Sequence, residues 1–172
     1  MIPNFSARDY DFTEYVPARN WIDGRWQSAD GADTLEVVNP RYARSMSNVV
    51  MGGAADVDAA VKAAKAALPA WRALPLRDRA YVFYNLRQLM HENLEELTWL
   101  VSHENGKTYG EAKAEVLKAI ECAEFGCSLP NLAAGQQLDV SRGVNCQVTY
   151  EPIGVVAGVT PFNFPLMVPL WM

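Results

Sequence analysis

The sequence predicts an α/β chain: strands and loops first, then a run of amphipathic helices, then a buried strand that feeds a helix. Three observations predict it. Short strand-like runs bounded by turn residues fill the first fifty positions. From Asp56 to Cys127 the apolar residues recur with helical spacing. After Pro152 an apolar run passes through a proline-rich loop into a second apolar run, the order of the first unit of a parallel α/β domain. Composition agrees, because 172 residues that are 50% hydrophobic, 20% charged and 10% aromatic are the balance of a globular protein rather than a disordered or fibrous one.

The elements follow in order. The first twenty residues are polar and irregular, and Trp21-Ile-Asp-Gly-Arg-Trp26 then places an Asp-Gly turn between flanking apolar residues, a hairpin signal. Leu35-Glu-Val-Val-Asn-Pro40 reads as a strand ended by Asn-Pro, and a further strand is expected around Asn48-Val-Val-Met51 before Gly52-Gly53. A first helix carries Val57, Val61, Ala64 and Leu68 on one face, with Asp56 as its N-cap and Pro69 as its stop. A second runs from Leu76 to Met90 with Val82, Phe83, Leu86, Leu89 and Met90 at helical spacing. Leu94, Leu97, Leu100 and Val101 carry a third to a C-cap at Gly106.

The fourth helix spans Tyr109 to Cys127, with Ala112, Val116, Ala119, Ile120 and Ala123 on one face and Glu111, Glu115, Lys118 and Glu121 elsewhere. The four helices are expected to pack together. Gln136 to Tyr150 reads as a protruding hairpin about Ser141-Arg-Gly143. Val155-Val156-Ala157 reads as a short buried strand, and Phe164 to Met172 as a helix start after Pro161. The boundaries drawn from these patterns are strands and loops over 1–54, a helical part over 55–130, the hairpin over 131–151 and a strand-loop-helix unit over 152–172.

A net charge of −5 and a pI near 5.0 leave no basic surplus for a phosphate backbone, so nucleic acid is not an expected partner. Cys122, Cys127 and Cys146 are odd in number and lack metal-ligand spacing; reduced thiols in the cytoplasm and no metal are expected. Acidic residues within MIPNFSARDYDFTEY argue against a secretory or transit segment. Pro152 to Met172 carries neither charge nor histidine, but Pro161, Pro165 and Pro169 break the single helix that a membrane span needs. Because the chain ends on its most apolar segment, the sequence reads as cut short.

The loop Gly158-Val-Thr-Pro-Phe-Asn-Phe-Pro165 sits between strand and helix start, where open α/β sheets bind ligands, although it is not G-x-G-x-x-G. Its prolines stiffen the backbone, and an amide held at Asn163 can donate to a carbonyl oxygen that gains negative charge. The other reading is that Asn163 satisfies backbone groups of its own loop.

Eight elements in order then carry a resemblance: Trp21-Ile-Asp-Gly-Arg-Trp26, Val38-Asn-Pro40, Asp56-Val-Asp-Ala-Ala-Val61, Glu104-Asn-Gly-Lys107, Glu111-Ala112, Glu115-Val116, Pro152-Ile-Gly-Val-Val156 and Pro161-Phe-Asn-Phe-Pro165. The chain resembles the N-terminal part of the aldehyde dehydrogenase superfamily. With Ile120-Glu-Cys-Ala-Glu-Phe125, the Pro-Phe-Asn-Phe-Pro wording is most similar to the methylmalonate-semialdehyde dehydrogenase branch, whose members make acyl-CoA.

The resemblance implies NAD as cofactor, CoA as co-substrate and a small aldehyde as substrate. It makes Asn163 the side-chain half of the oxyanion hole. Val159, Thr160, Pro161 and Phe162 become cofactor contacts, while Phe164, Val168 and Trp171 line the substrate tunnel, with packing as the alternative for those three. It makes the 136–150 hairpin an arm for homo-dimers or tetramers, with a plain surface hairpin as the alternative. Lys118 stands where that branch has an Arg for the substrate carboxylate, and Lys is a point charge rather than a bidentate fork, so a solvated helix lysine is the alternative there.

The resemblance further implies that the nucleophilic cysteine, the general base and the lysine for the adenosine ribose lie downstream, so that this section alone is inactive. Three other functions stay open: an ordinary hydrolytic aldehyde dehydrogenase, a non-catalytic truncated paralogue that binds a full-length subunit, and an isolated nucleotide-binding module.

Overall fold

Turn chemistry decides the strands. In a computed structural model, which describes residues 15–27 and 32–172, Asp23 and Gly24 both take positive φ (55° and 71°), as a two-residue hairpin turn requires. They join β1 (Trp21–Ile22) to β2 (Arg25–Trp26), whose end rings meet edge to face at 4.8 Å. Most of the irregular run expected over the first twenty residues lies outside the described residues. β3 (Thr34–Asn39) and β4 (Arg44–Val50) form an antiparallel pair with a bulge at Val37/Val38, and β4 begins earlier than expected. The buried Asn39 turns this corner by accepting through Oδ1 from the backbone amides of Arg41 (2.9 Å) and Tyr42 (3.3 Å).

Four longer helices follow: α1 (Ala54–Ala73), α2 (Leu76–Glu92), α3 (Leu94–Asn105) and α4 (Tyr109–Cys127). Three expectations about α1 are corrected. Its N-cap is Gly53, and Asp56 instead reaches back to accept from the Gly53 amide at 2.7 Å. Pro69 does not stop the helix but lies within it; the Lys65 carbonyl it leaves without an i+4 donor belongs to an exposed turn that water can satisfy. Finally α1 buries no residue and packs against β1 rather than into the bundle.

The core therefore centres on α4, which packs against α2 and α3. Ala112, Val116, Ala119 and Ile120 meet Met90 of α2 and Val101 of α3, with Leu86, Leu94 and Leu97 around them. Small residues on α4 let the helices approach closely, and Gly126 shows how closely, because a Cβ there would collide with the Phe83 ring. Thr108 and Glu111 cap α4 reciprocally, with the Thr108 amide donating to Glu111 Oε2 at 3.0 Å.

After the short α5 (Leu129–Leu132), β5 (Gln136–Ser141) and β6 (Val144–Val148) form the expected hairpin, turned by Arg142 and a Gly143 with φ +75°, and every residue of both strands is exposed. Val155-Val156-Ala157, expected as a buried strand, pairs with no strand among the described residues and is exposed. A strand exists only through partners, and here a central position in a sheet would be needed to cover this run. The chain ends in α6 (Met167–Trp171), seated on α4 through Met167 and Leu170. No helix among the described residues is long and apolar enough to cross a membrane.

Candidate functional site

The loop carrying Asn163 is held from behind by the turn between α3 and α4. Gly106 adopts the left-handed conformation (φ 85°), its amide donates to the Ser102 carbonyl at 2.9 Å, and Ser102 Oγ donates to the Lys107 carbonyl at 2.7 Å. The chain thus reverses within three residues. The side chains flanking that glycine reach successive loop carbonyls: Asn105 Nδ2 donates to Phe162 O at 2.8 Å, and Lys107 Nζ donates to Asn163 O at 2.6 Å.

The second grip comes from α4. Glu115, only 3% exposed, accepts through Oε1 from the amides of Leu166 (2.9 Å) and Met167 (3.2 Å), while Oε2 receives the Lys107 ammonium. That ammonium also lies 4.3 Å from the centre of the Phe164 ring. Glu115 was expected off the apolar face, and its position corrects that: three residues after Ala112 and four before Ala119, it belongs to the buried face by spacing. Burial is sustained because two amides and a cation replace its water, and removing one member of such a pair typically costs ~3–5 kcal/mol through the charge left behind. Asn105, Lys107 and Glu115 are the residues sequence reasoning passed over. The available signal was an acid inside an alanine stripe.

Asn163 is exposed, and its side-chain amide has no hydrogen-bond partner among the described residues. Backbone satisfaction within its own loop is therefore not what it does here. Val159 (92% exposed), Thr160, Pro161 and Phe162 (88% exposed) continue outward on the same open segment.

Among the tunnel candidates, Lys118 and Trp171 share a groove of about 350 Å³ with Cys122, Phe125, Met167 and Leu170. Phe164 lies instead under Lys107, and Val168 is buried. Lys118 Nζ is paired with both oxygens of Glu121 (2.9 and 2.7 Å) at the groove edge, with both side chains more than half exposed. Burial pushes the Cys122 thiol above its ordinary value, with the Trp171 contact working against it, so Cys122 is poorly suited to be a thiolate nucleophile. No group of three or more His, Cys, Asp or Glu among the described residues is placed to hold a metal ion. A larger apolar cavity of about 590 Å³ lies between the β3–β4 pair and α3 and touches the loop only at Pro165 and Leu166.

A model of the aldehyde dehydrogenase family matches residues 26–172, and the chain belongs to that family. It is 43% identical over 160 residues to malonate-semialdehyde dehydrogenase 1 of Geobacillus kaustophilus, covering 92% of this chain and 33% of that protein. Among solved structures it is similar to methylmalonate-semialdehyde dehydrogenase from Oceanimonas doudoroffii (33% identity, TM-score 0.86, covering 92% of this chain and 32% of that one). It is also similar to the NAD complex of a protein assigned as methylmalonate-semialdehyde dehydrogenase from Sinorhizobium meliloti 1021 (34%, TM-score 0.85, 93% and 33%). The chain spans about a third of the length of the curated relatives it matches.

Proposed function

We propose that the chain is the opening section of an NAD-dependent aldehyde dehydrogenase that oxidises malonate or methylmalonate semialdehyde and transfers the acyl group to CoA. The observation that carries this reading is the Asn163 loop: its carbonyls are gripped from behind while its side-chain amide has no hydrogen-bond partner among the described residues. A backbone so held limits the directions from which the side-chain amide can donate, and a donor presented from a fixed backbone suits a developing oxyanion. Asn163 therefore donates to the aldehyde oxygen as negative charge gathers on it.

Val159, Thr160, Pro161 and Phe162 fit NAD, since this exposed backbone pairs with no strand among the described residues and leads directly to Asn163. The cofactor, when bound, supplies the hydride acceptor. Lys118 at the groove edge meets the substrate carboxylate in exchange for Glu121, Trp171 forms the apolar wall beside it, and Phe164 and Val168 belong to the substrate tunnel outside this groove. The β5–β6 hairpin, exposed on both faces, is the contact through which copies pair into dimers or tetramers. The divisions 1–54, 55–130, 131–151 and 152–172 are the corresponding strand, helical, oligomerisation and nucleotide-binding portions, and the enzyme works in the cytoplasm.

The test is NADH formation by the complete gene product with malonate semialdehyde, with and without CoA, beside the 172-residue polypeptide alone. CoA-dependent turnover by the complete protein and none by the short polypeptide are expected. Free acid formed equally well without CoA would make it a hydrolytic member of the family, and turnover by the short polypeptide would overturn the placement of the nucleophile downstream. No turnover by the complete product would leave the non-catalytic reading.

A further inference from the structure

We propose that Lys107 and Glu115 are positioning residues: together they fix the peptide of Asn163 and so aim its side-chain amide, without touching substrate or cofactor. The inference rests on Asn163 being the oxyanion donor. An ammonium has three N–H donors in a tetrahedral array and no acceptor. In Lys107 one is directed to Glu115 Oε2, one to the Asn163 carbonyl at 2.6 Å, and the Phe164 ring faces the cation at 4.3 Å. Two of its three donors are thus spent on the protein itself and a ring faces the cation, so the ammonium is directed at the loop.

Glu115 is the fixed end of the device. Its side chain is 1% exposed against 18% for Lys107, and Oε1 holds the amides of Leu166 and Met167. One carboxylate therefore ties down the chain just after Asn163, while the cation it carries ties down Asn163 itself. With Asn105 on the Phe162 carbonyl, the backbone is pinned at residues 162, 163, 166 and 167. Rotation of the Asn163 peptide, the motion that would swing its side chain off target, is the motion these contacts oppose. A compact ammonium suits this better than a guanidinium, whose planar fork cannot address a carboxylate, a carbonyl and a ring face lying in different directions.

The experiment is a double-mutant cycle in the complete gene product, read as kcat and as KM for NAD with malonate semialdehyde and CoA. Lys107→Met is expected to lower kcat about ten-fold, some 1.4 kcal/mol, with KM for NAD changed less than three-fold. On an Asn163→Ala background the same substitution is expected to change kcat less than two-fold, because the group it aims is gone. The same fold loss on both backgrounds, or no loss in the single variant, overturns the proposal. Should Lys107→Met fail to fold, Glu115→Gln, which keeps an acceptor for the two amides but loses the charge, carries the same cycle with the same criteria.

If the complete product oxidises no aldehyde, the functional reading fails, and the clamp is judged separately by hydrogen exchange. The Leu166 and Met167 amides should exchange at least ten-fold faster in Glu115→Ala than in the wild-type protein, and unchanged protection overturns it.

Discussion

The Pro40 ring lies against Gly106, so that a Cβ built on the glycine would come 3.0 Å from Pro40 Cγ. Two segments far apart in sequence, the end of the β3–β4 corner and the turn between α3 and α4, meet here with no room for a side chain between them. The same glycine has φ 85° and separates Asn105 from Lys107, whose side chains hold neighbouring carbonyls of the Asn163 loop. A local backbone requirement and a long-range contact thus converge on one residue.

Gly106→Ala is accordingly expected to destabilise the protein by ~1–2 kcal/mol, from left-handed strain alone, and more where the Pro40 contact cannot relax. Urea unfolding would show it as a lowered midpoint at unchanged slope. A midpoint equal to wild type would mean that the turn has another conformation open to it.

If Asn163 is the proposed oxyanion donor, acting on charge that develops during reaction, Asn163→Ala should lower kcat of the complete protein by ~10²-fold or more and leave NAD affinity within a few-fold. Equal losses in cofactor binding and kcat would assign Asn163 to packing of the loop.

For Lys118 the groove it shares with Trp171 sets the expectation. Lys118→Met should raise KM for malonate semialdehyde about ten-fold, equivalent to ~1.4 kcal/mol, and leave propanal nearly unaffected. Similar small effects on both substrates would return Lys118 to a solvated ion pair with Glu121.

The cap of α4 gives a pH dependence. Hydrogen bonds from the Thr108 hydroxyl and amide hold the Glu111 carboxyl below its ordinary value. A carboxyl lowered on folding stabilises the protein above its unfolded value and loses that contribution as pH falls through the folded one. Glu111→Gln should therefore lower the melting temperature at pH 7 and approach wild type near pH 3. A difference that stays constant across that range would contradict the assignment.

What was legible in the sequence was largely what neighbouring residues decide among themselves. Asp23-Gly24, Gly106 and Gly143 mark their turns because only certain residues readily adopt positive φ. The bounds of α4 follow from its alanine-rich period. Asp56 and Pro69 were misplaced because a preceding glycine can itself cap a helix, and because an exposed helix tolerates the carbonyl that proline strands. Asn163 could be singled out from its loop, but the Lys107 and Glu115 that hold it could not, since Glu115 finds its amide partners 51 and 52 residues away. Spacing along one helix says nothing about a partner at that distance. Val155-Val156-Ala157 illustrates the converse, for strand-forming composition yields no strand without a neighbour to pair with.

The ties between the α3–α4 corner and the Asn163 loop also set an order of events. Asn105 and Phe162 are 57 residues apart, and closing so long a segment is entropically costly until both ends are shaped to meet. The corner itself needs only contacts within a few residues, such as Ser102 with Lys107, and α3 docks on α4 across a short turn. The helical corner is therefore expected to form before the loop arrives, and the loop to fold onto it last. Pulse-labelling exchange during refolding should find α3 and α4 amides protected before those of Leu166 and Met167, and simultaneous protection would refute that order. Assembly of the helical core is then expected to precede, in time, the docking of the Asn163 loop.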